Sequence, residues 1–390
     1  MKIIYYILSL IILLVSCNSN TAKRNVNSFN LIGTDIPTVV PSEIGIDSLL
    51  LRNINTKIIS QEYPNIHSVL ISKSGKLIYE HYFEGSDQIF GHDIGTVKFT
   101  DTTLHDIRSI TKSIISACVG IAIKEGYIKN VDQNISDFFP NMDSIFRGDK
   151  ANWTIENFLT MTTGLSWNEN VPYNNPENDE IQMTYKVDPI RYVLEKQLDT
   201  IPGKKFNYNG GATQVLAEII ERSSNTSLDK FVKNHLLIPL GIEHYQWTKY
   251  SVWGGSDKFA AAGGLRLTSR DLMKFGLLYR NKGMWNKKQV IPKDWISESF
   301  DPKIEYPSEV TEGIEWYGYQ FWIWPDQFQD DEFIMNAALG NGDQNIFWDL
   351  KNDVIIVTTA GNYNKWDISN DSYTLLKEHI YPLVLNINSR

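Results

Sequence analysis

The chain has 390 residues, 42% of them hydrophobic and 21% charged, which is enough for one large or two ordinary domains and excludes a mostly disordered polypeptide. Its formal net charge of -9, with no block of Lys and Arg to attract phosphates, excludes a general nucleic-acid binder. Aromatics reach 12%, with 11 Trp, a content that serves a large core or an aromatic-lined cleft.

The N-terminus reads MKIIYYILSLIILLVSC. Lys2 supplies a short positive region, and the apolar stretch from Ile3 to Val15 is too short to span a bilayer comfortably; it has the shape of a secretory signal. It ends in Leu14-Val15-Ser16-Cys17, which resembles a bacterial lipoprotein lipobox. That resemblance implies a signal peptide over residues 1–16, cleavage before Cys17, a lipid on its sulfur, and a cell-envelope location outside the cytoplasm. Residues 17–45, Asn- and Ser-rich at first, then read as a lipidated N-terminus and tether, and residues 46–390 as a single domain. The chain has two cysteines; with Cys17 lipidated, Cys118 stands alone in IISACVGIAI and reads as a small buried hydrophobe. No CxxC or HExxH occurs, and seven scattered His show no metal-ligand spacing, so neither metal nor cofactor is expected.

SVLISKSGKLIYEHYF reads as two strands about a Ser74-Gly75 turn. Ser109 to Glu125 carries apolar residues at helical spacing, with Gly126 just past the end. Residues 128 to 255 hold mainly short helical patterns and loops. Gly263-Gly264 precede Thr268-Ser269-Arg270-Asp271, a capping box opening another helix. From Trp316 the texture returns to strands in YGYQFWIW, QNIFWDL and DVIIVTTAG, whose tryptophans (Trp316, Trp322, Trp324, Trp348) read mainly as core. Strands at both ends and helices between them give an α+β fold: an antiparallel sheet built from N- and C-terminal strands, flanked by helices, with a mainly helical inserted subdomain over roughly 128–255.

The sequence contains Ser-x-x-Lys twice, at Ser109–Lys112 and Ser227–Lys230. Ser227 opens what reads as a surface helix, with Lys230 beside Asp229, and the capping reading suffices there. Beyond Lys112 the chain runs SIISACVGIAI without a charge until Lys124, so Lys112 is expected to be buried. Residues i and i+3 share a helical face, which lets its amine reach the Ser109 hydroxyl at a helix N-terminus that favours developing negative charge. A lysine with an ordinary pKa of about 10.4 is a poor base near neutrality. Burial, which disfavours the ammonium, is the expected remedy.

Here the chain resembles the serine β-lactamase and penicillin-binding-protein superfamily, whose signature is Ser-x-x-Lys, and most closely its class C-like branch of esterases, D-amino-acid peptidases and 6-aminohexanoate-dimer-type amidases. WTIENFLTMTTGLSW, PGKKFNYNGGATQVLAEIIE, IPLGI, AAGGLRLTSRDLMKFGLLYRNKG and YGYQFW follow in the family's order, covering about residues 65 to 362. The resemblance implies a covalent mechanism with Ser109 as nucleophile, Lys112 as base and Tyr208 as a proton-transfer group whose pKa the lysine lowers. It implies an oxyanion hole from the backbone N–H groups of Ser109 and Asn341, each donor worth about 3–4 kcal/mol in the transition state. The usual Tyr-x-Asn is here Tyr208-Asn209-Gly210, so the substrate-contacting amide is missing, with Asn209 a displaced stand-in. The third motif, expected on an edge strand, becomes Ala338-Leu339-Gly340: Gly340 remains beside substrate, while the cation and hydroxyl that hold a β-lactam carboxylate are gone. Tyr173, in the loop VPYNNPEND, is a further cleft residue. The expected partners are a small ester or amide and, through the N-terminal lipid, a membrane; a D-peptidase or weak β-lactamase, or a silent binding protein of the same fold, are the alternatives.

Overall fold

The computed structural model describes residues 35–307, 314–365 and 371–385; the expected signal peptide, Cys17 and the first part of the tether lie outside them. IHSVLISK (Ile66–Lys73) and KLIYEHY (Lys76–Tyr82) are rich in β-branched and aromatic residues and pair antiparallel. They turn through Ser74 and Gly75, both left-handed at φ +52° and +74°, as a two-residue hairpin requires. They close one edge of an eight-stranded sheet. From the opposite edge its order is Ile304–Pro307, Ile314–Tyr317, Trp322–Phe328, Asp331–Gly340, Gln344–Asp349, Val354–Ala360, Ile66–Lys73 and Lys76–Tyr82. All neighbours are antiparallel.

Among the described residues, the C-terminal half supplies six strands of this sheet where sequence periodicity showed three. DEFIMNAALG escaped notice because Asp331, Glu332 and Asn336 break its apolar run. This strand, which carries Gly340, is interior and not at the sheet edge as expected. Its pairing with Trp322–Phe328 nevertheless ends at Trp322↔Ala337, so Ala338, Leu339 and Gly340 project past that neighbour and form a local edge.

Alternate side chains of the sheet enter two cores. Ile346, Trp348, Ile355 and Val357 face the helical body, where Trp348 Nε1 donates to Gly276 O at 2.9 Å. Phe347 points the other way, with its ring 5.9 Å from Tyr373 of the C-terminal helices. The helix Ser269–Arg280 opens with the expected capping box: Asp271 N donates to Thr268 Oγ1 at 3.1 Å and Thr268 N to Asp271 Oδ2 at 3.2 Å. Residues 35–45, read from sequence as tether, pack on the domain. Ile36 is buried, and Asp35 binds Arg270 at 2.6 Å and Lys274 at 2.9 Å.

The helix Ile110–Lys124 is buried at every position from Ile110 to Ala122, including Cys118. A helix apolar on all sides needs cover on all sides, and this one packs against the helix Gly210–Ser224 and the strand Asp331–Gly340. Besides the main sheet there is a ribbon of Glu84–Ile89 with His92–Lys98. A small sheet joins His105–Asp106, Leu265–Leu267 and Gln246–Trp247. The second of these sheets delivers the chain to Ser109.

Candidate active site

From His105–Asp106 the backbone enters the serine helix through Ile107, whose N–H donates to Leu265 O at 3.2 Å. Arg108 follows in the left-handed region at φ +50°, a costly conformation for a non-glycine residue that is held by its surroundings. Ser109 then occupies the N-cap position but makes no side-chain cap bond. Its hydroxyl instead accepts from Lys112 Nζ at 3.0 Å. The ammonium, 1% exposed, also donates to Ala262 O at 3.0 Å and to Glu180 Oε2 at 3.4 Å. Glu169 Oε1 lies 3.8 Å away.

Tyr208 faces this pair. Lys112 Nζ is 4.9 Å from its ring centroid, its hydroxyl is within hydrogen-bonding reach of Ser109 and Lys112, and its ring stacks on Trp322 at 5.5 Å. The segment preceding it is pinned by Asn207, whose Nδ2 donates to Leu165 O at 3.2 Å and Trp167 O at 3.0 Å. That ties LSW and FNY, far apart in sequence, into one wall. Tyr173 reaches the same place, with its hydroxyl donating to Glu169 Oε1 at 2.7 Å.

Two expectations about charge are overturned. Burial does oppose the Lys112 ammonium, but Glu180, Tyr208 and Glu169 outweigh it and hold the lysine above its ordinary pKa. Burial also dominates at Tyr208, whose pKa is raised despite the neighbouring Lys112. The resting site therefore holds an ammonium and a phenol, neither of which is a ready base. The cause is an acidic pair the motifs did not reveal. Burial and then the Glu180 charge push Glu169 up to about 8, so this carboxyl holds its proton more tightly than an ordinary one. Glu169 Oε2 also accepts from Trp167 Nε1 at 2.7 Å and Gly210 N at 2.6 Å.

Gly210 explains how the second carboxyl fits. A Cβ built there would lie 2.1 Å from Glu180 Oε2, so the position expected to hold Asn is vacated and Glu180 fills the space. The signal was legible in part: a glycine where a motif wants a side chain marks volume taken by something else. Asn209 does not stand in for the missing amide. It is fully buried, and its Oδ1 accepts from Ala212 N at 3.0 Å as the N-cap of the helix Gly210–Ser224. Gly340 permits close backbone approach: an added Cβ would meet Ile107 O at 2.4 Å and Arg108 Cβ at 3.2 Å. This sets the turn carrying Asn341 against the segment entering Ser109. The turn is fixed from behind by Asn341 Nδ2, which donates to Asn364 Oδ1 at 2.8 Å, and by Gln344 Nε2, which donates to Gly342 O at 2.9 Å.

Sequence spacing showed no metal site, but the fold gathers His67, Asp87 and His105, all buried, with ligating atoms within 4.8 Å of one another. Their geometry is that of a hydrogen-bonded brace. His67 Nδ1 and His105 Nε2 are 2.8 Å apart, whereas nitrogens sharing a tetrahedral zinc sit about 3.3 Å apart. His67 Nε2 meets Asn65 Oδ1 at 3.2 Å, and Tyr363 OH meets Asp87 Oδ1 at 3.1 Å and His105 Nδ1 at 3.2 Å. Burial keeps both imidazoles neutral, far below the usual histidine pKa. Arg266 and Arg108, joined to neighbouring Asp106 at 2.7 and 3.3 Å, already supply positive charge there. Tyr363 links this brace to the turn carrying Asn341, where a Cβ added at Gly342 would lie 2.7 Å from its ring.

An antiparallel sheet with a buried Ser-x-x-Lys helix beneath its projecting strand end defines the β-lactamase and transpeptidase-like class of hydrolases. The chain belongs to the Beta-lactamase family, whose model matches residues 66–373. It is 24% identical over 337 residues to Protein flp of Staphylococcus aureus strain N315, covering 83% of this chain and 59% of that one. It is 25% identical over 223 residues, 54% of this chain and 50% of the other, to a protein of Salmonella paratyphi A provisionally described as a D-alanyl-D-alanine carboxypeptidase. The chain spans about half the length of the first curated relatives it matches. Among solved structures, one from Bacillus anthracis provisionally described as a 6-aminohexanoate-dimer hydrolase superposes with a TM-score of 0.65 at 19% identity, covering 90% of this chain and 89% of that one. This likeness concerns the fold.

Proposed function

We propose that this β-lactamase-fold hydrolase cleaves a small ester or amide through an acyl-enzyme on Ser109. The observation that carries the reading is the buried Lys112 Nζ held 3.0 Å from Ser109 Oγ, with Tyr208 over both. Ser109 Oγ attacks the carbonyl carbon, and the displaced electron pair rests on oxygen facing the backbone N–H groups of Ser109 and Asn341, at a helix N-terminus that favours negative charge. Tyr208 hands a proton to the leaving group, and water then releases the acyl group. Tyr173 and Trp322 border the acyl site. Ala338 and Leu339 offer no cation for a substrate carboxylate, which favours an acyl group anchored without one. The lipobox-like end of the apolar N-terminal stretch at Cys17 supports a lipid-anchored position in the cell envelope, outside the cytoplasm. A D-peptidase activity on peptidoglycan-like substrates is the second reading, favoured by the relative described as a carboxypeptidase.

The test uses protein lacking residues 1–17, a p-nitrophenyl ester panel and a β-lactam, beside Ser109→Ala. Ester turnover with a mass-detected acyl adduct on the Ser109 peptide, both absent from the variant, supports the hydrolase. Preference for the β-lactam or a D-Ala-D-Ala peptide moves the assignment to the second reading. Folded protein with no adduct and no difference from the variant leaves a silent binding protein.

A further inference from the structure

A serine nucleophile must lose its proton as it attacks, and neither neighbour can simply take it. Lys112 already carries its full complement of hydrogens, and Tyr208 is a phenol. Following the hydrogen bonds outward from Ser109 Oγ leads to Lys112 Nζ at 3.0 Å and from there to Glu180 Oε2 at 3.4 Å. Ala262 O, the third acceptor on the ammonium, is a backbone carbonyl and cannot hold a proton. The chain of contacts thus ends at the Glu180 carboxyl, beside the Glu169 carboxyl 3.8 Å from the same nitrogen.

We infer that Glu180, paired with Glu169, is the terminal proton acceptor for Ser109, with Lys112 as a relay that gives up one proton before it takes the next. The inference rests on the serine-hydrolase reading above. Lys112 Nζ first passes a proton to Glu180, which frees its lone pair; as the Oγ–carbon bond forms and the carbonyl electron pair moves to oxygen, the Ser109 proton passes to that nitrogen. When the intermediate collapses and the leaving group departs, Tyr208 gives it a proton, Lys112 restores the Tyr208 hydroxyl, and Glu180 returns its proton to Lys112. The proton lost by serine ends on the leaving group, and the pair regains its starting charge.

Gly210 belongs to the same device. With any side chain there, Glu180 could not keep its place, since a Cβ would stand 2.1 Å from Oε2. The Tyr-x-Gly departure at 208–210 and an acid at 180 are therefore one structural change. The other titratable groups facing the pair are Tyr173 from the loop, Tyr208, Tyr250 and, across from Glu169, Tyr317. Burial raises the pKa of each, so they remain protonated and do not compete for the role.

The experiment follows acylation of Ser109 by an activated ester, by mass spectrometry and by pre-steady-state release of p-nitrophenol, in wild type, Glu180→Gln, Glu180→Asp and Gly210→Ala. Glu180→Gln still accepts a hydrogen bond from Lys112 but cannot hold its proton. It should slow acylation about 10²- to 10³-fold with KM changed less than about threefold, and should alter the acid limb of the pH–rate profile. Glu180→Asp should recover most of the rate. Gly210→Ala, which keeps the acid and displaces it, should resemble Glu180→Gln, so the proposal remains testable if one variant does not fold. Wild-type rate and an unchanged acid limb in Glu180→Gln, or an effect confined to KM, would overturn the proposal while leaving the Ser109 acyl-enzyme standing. Absence of any adduct in wild type would remove the acyl-enzyme itself.

Discussion

Ser109–Lys112 and Ser227–Lys230 share a motif and a place at a helix start, yet they are chemically unlike. Neither serine caps its helix with its side chain, so the difference does not lie in the serine. It lies in what surrounds the lysine. Lys230 is exposed on the five-residue helix Leu228–Val232, where water solvates it fully. Lys112 is 1% exposed, inside a helix buried on every side and opposite two glutamates. Spacing brings two groups within reach; burial and charge decide what they can do.

The largest expected effect separates the two serines. Ser109→Ala should lower turnover of a responsive ester on the order of 10⁴-fold or more, while Ser227→Ala leaves kcat/KM unchanged.

Next come the lysines. Lys112→Met leaves the acid pair without its counter-charge, and losing one partner of a buried ion pair costs about 3–5 kcal/mol. Urea unfolding should show this cost in full above pH 8 and less of it near pH 5, where the pair takes up protons instead. Lys230→Met should change stability by no more than about 0.5 kcal/mol.

The acid pair itself gives the third contrast. Glu169 binds its proton more tightly folded, about 8, than its ordinary 4.5. The folded state therefore holds the extra proton between those values, and stability falls as pH rises from about 4.5 to 8, by at most about 1.4 kcal/mol per pH unit. Thermal unfolding from pH 5 to 8 should show this slope in wild type and a flatter one in Glu169→Gln.

The smallest contrast concerns caps. Asn209→Ala removes a cap that is made and should cost about 1 kcal/mol. Ser227→Ala removes one that is not, and should be neutral in the same denaturation assay.

Much of this site was legible in the chain. Ser109, Lys112 and Tyr208 stand in motifs, and the charge-free run after Lys112 announced its burial. Tyr173 could be placed only as a loop residue near the cleft. Asn209 was misread because strand-to-helix geometry, which the motif's letters do not encode, turned it into a cap. Glu169 and Glu180 were missed because they sit among the Asn, Asp and Glu residues of an ordinary-looking loop, where nothing distinguishes a buried acid from a solvated one. The projecting end of the strand Asp331–Gly340 was likewise invisible, since it depends on where a neighbouring strand begins.

The sequence by itself determined local matters: the first hairpin, three of the C-terminal strands, where the serine helix starts, and that its lysine would be buried, because periodicity and hydrophobicity act over a few residues. Only the tertiary structure decided the protonation states of Lys112, Tyr208 and Glu169. A pKa is set by every charge and dipole within several ångströms and by the water excluded from that volume, and here those groups come from residues as far apart as Ser109 and Trp322 of a folded chain.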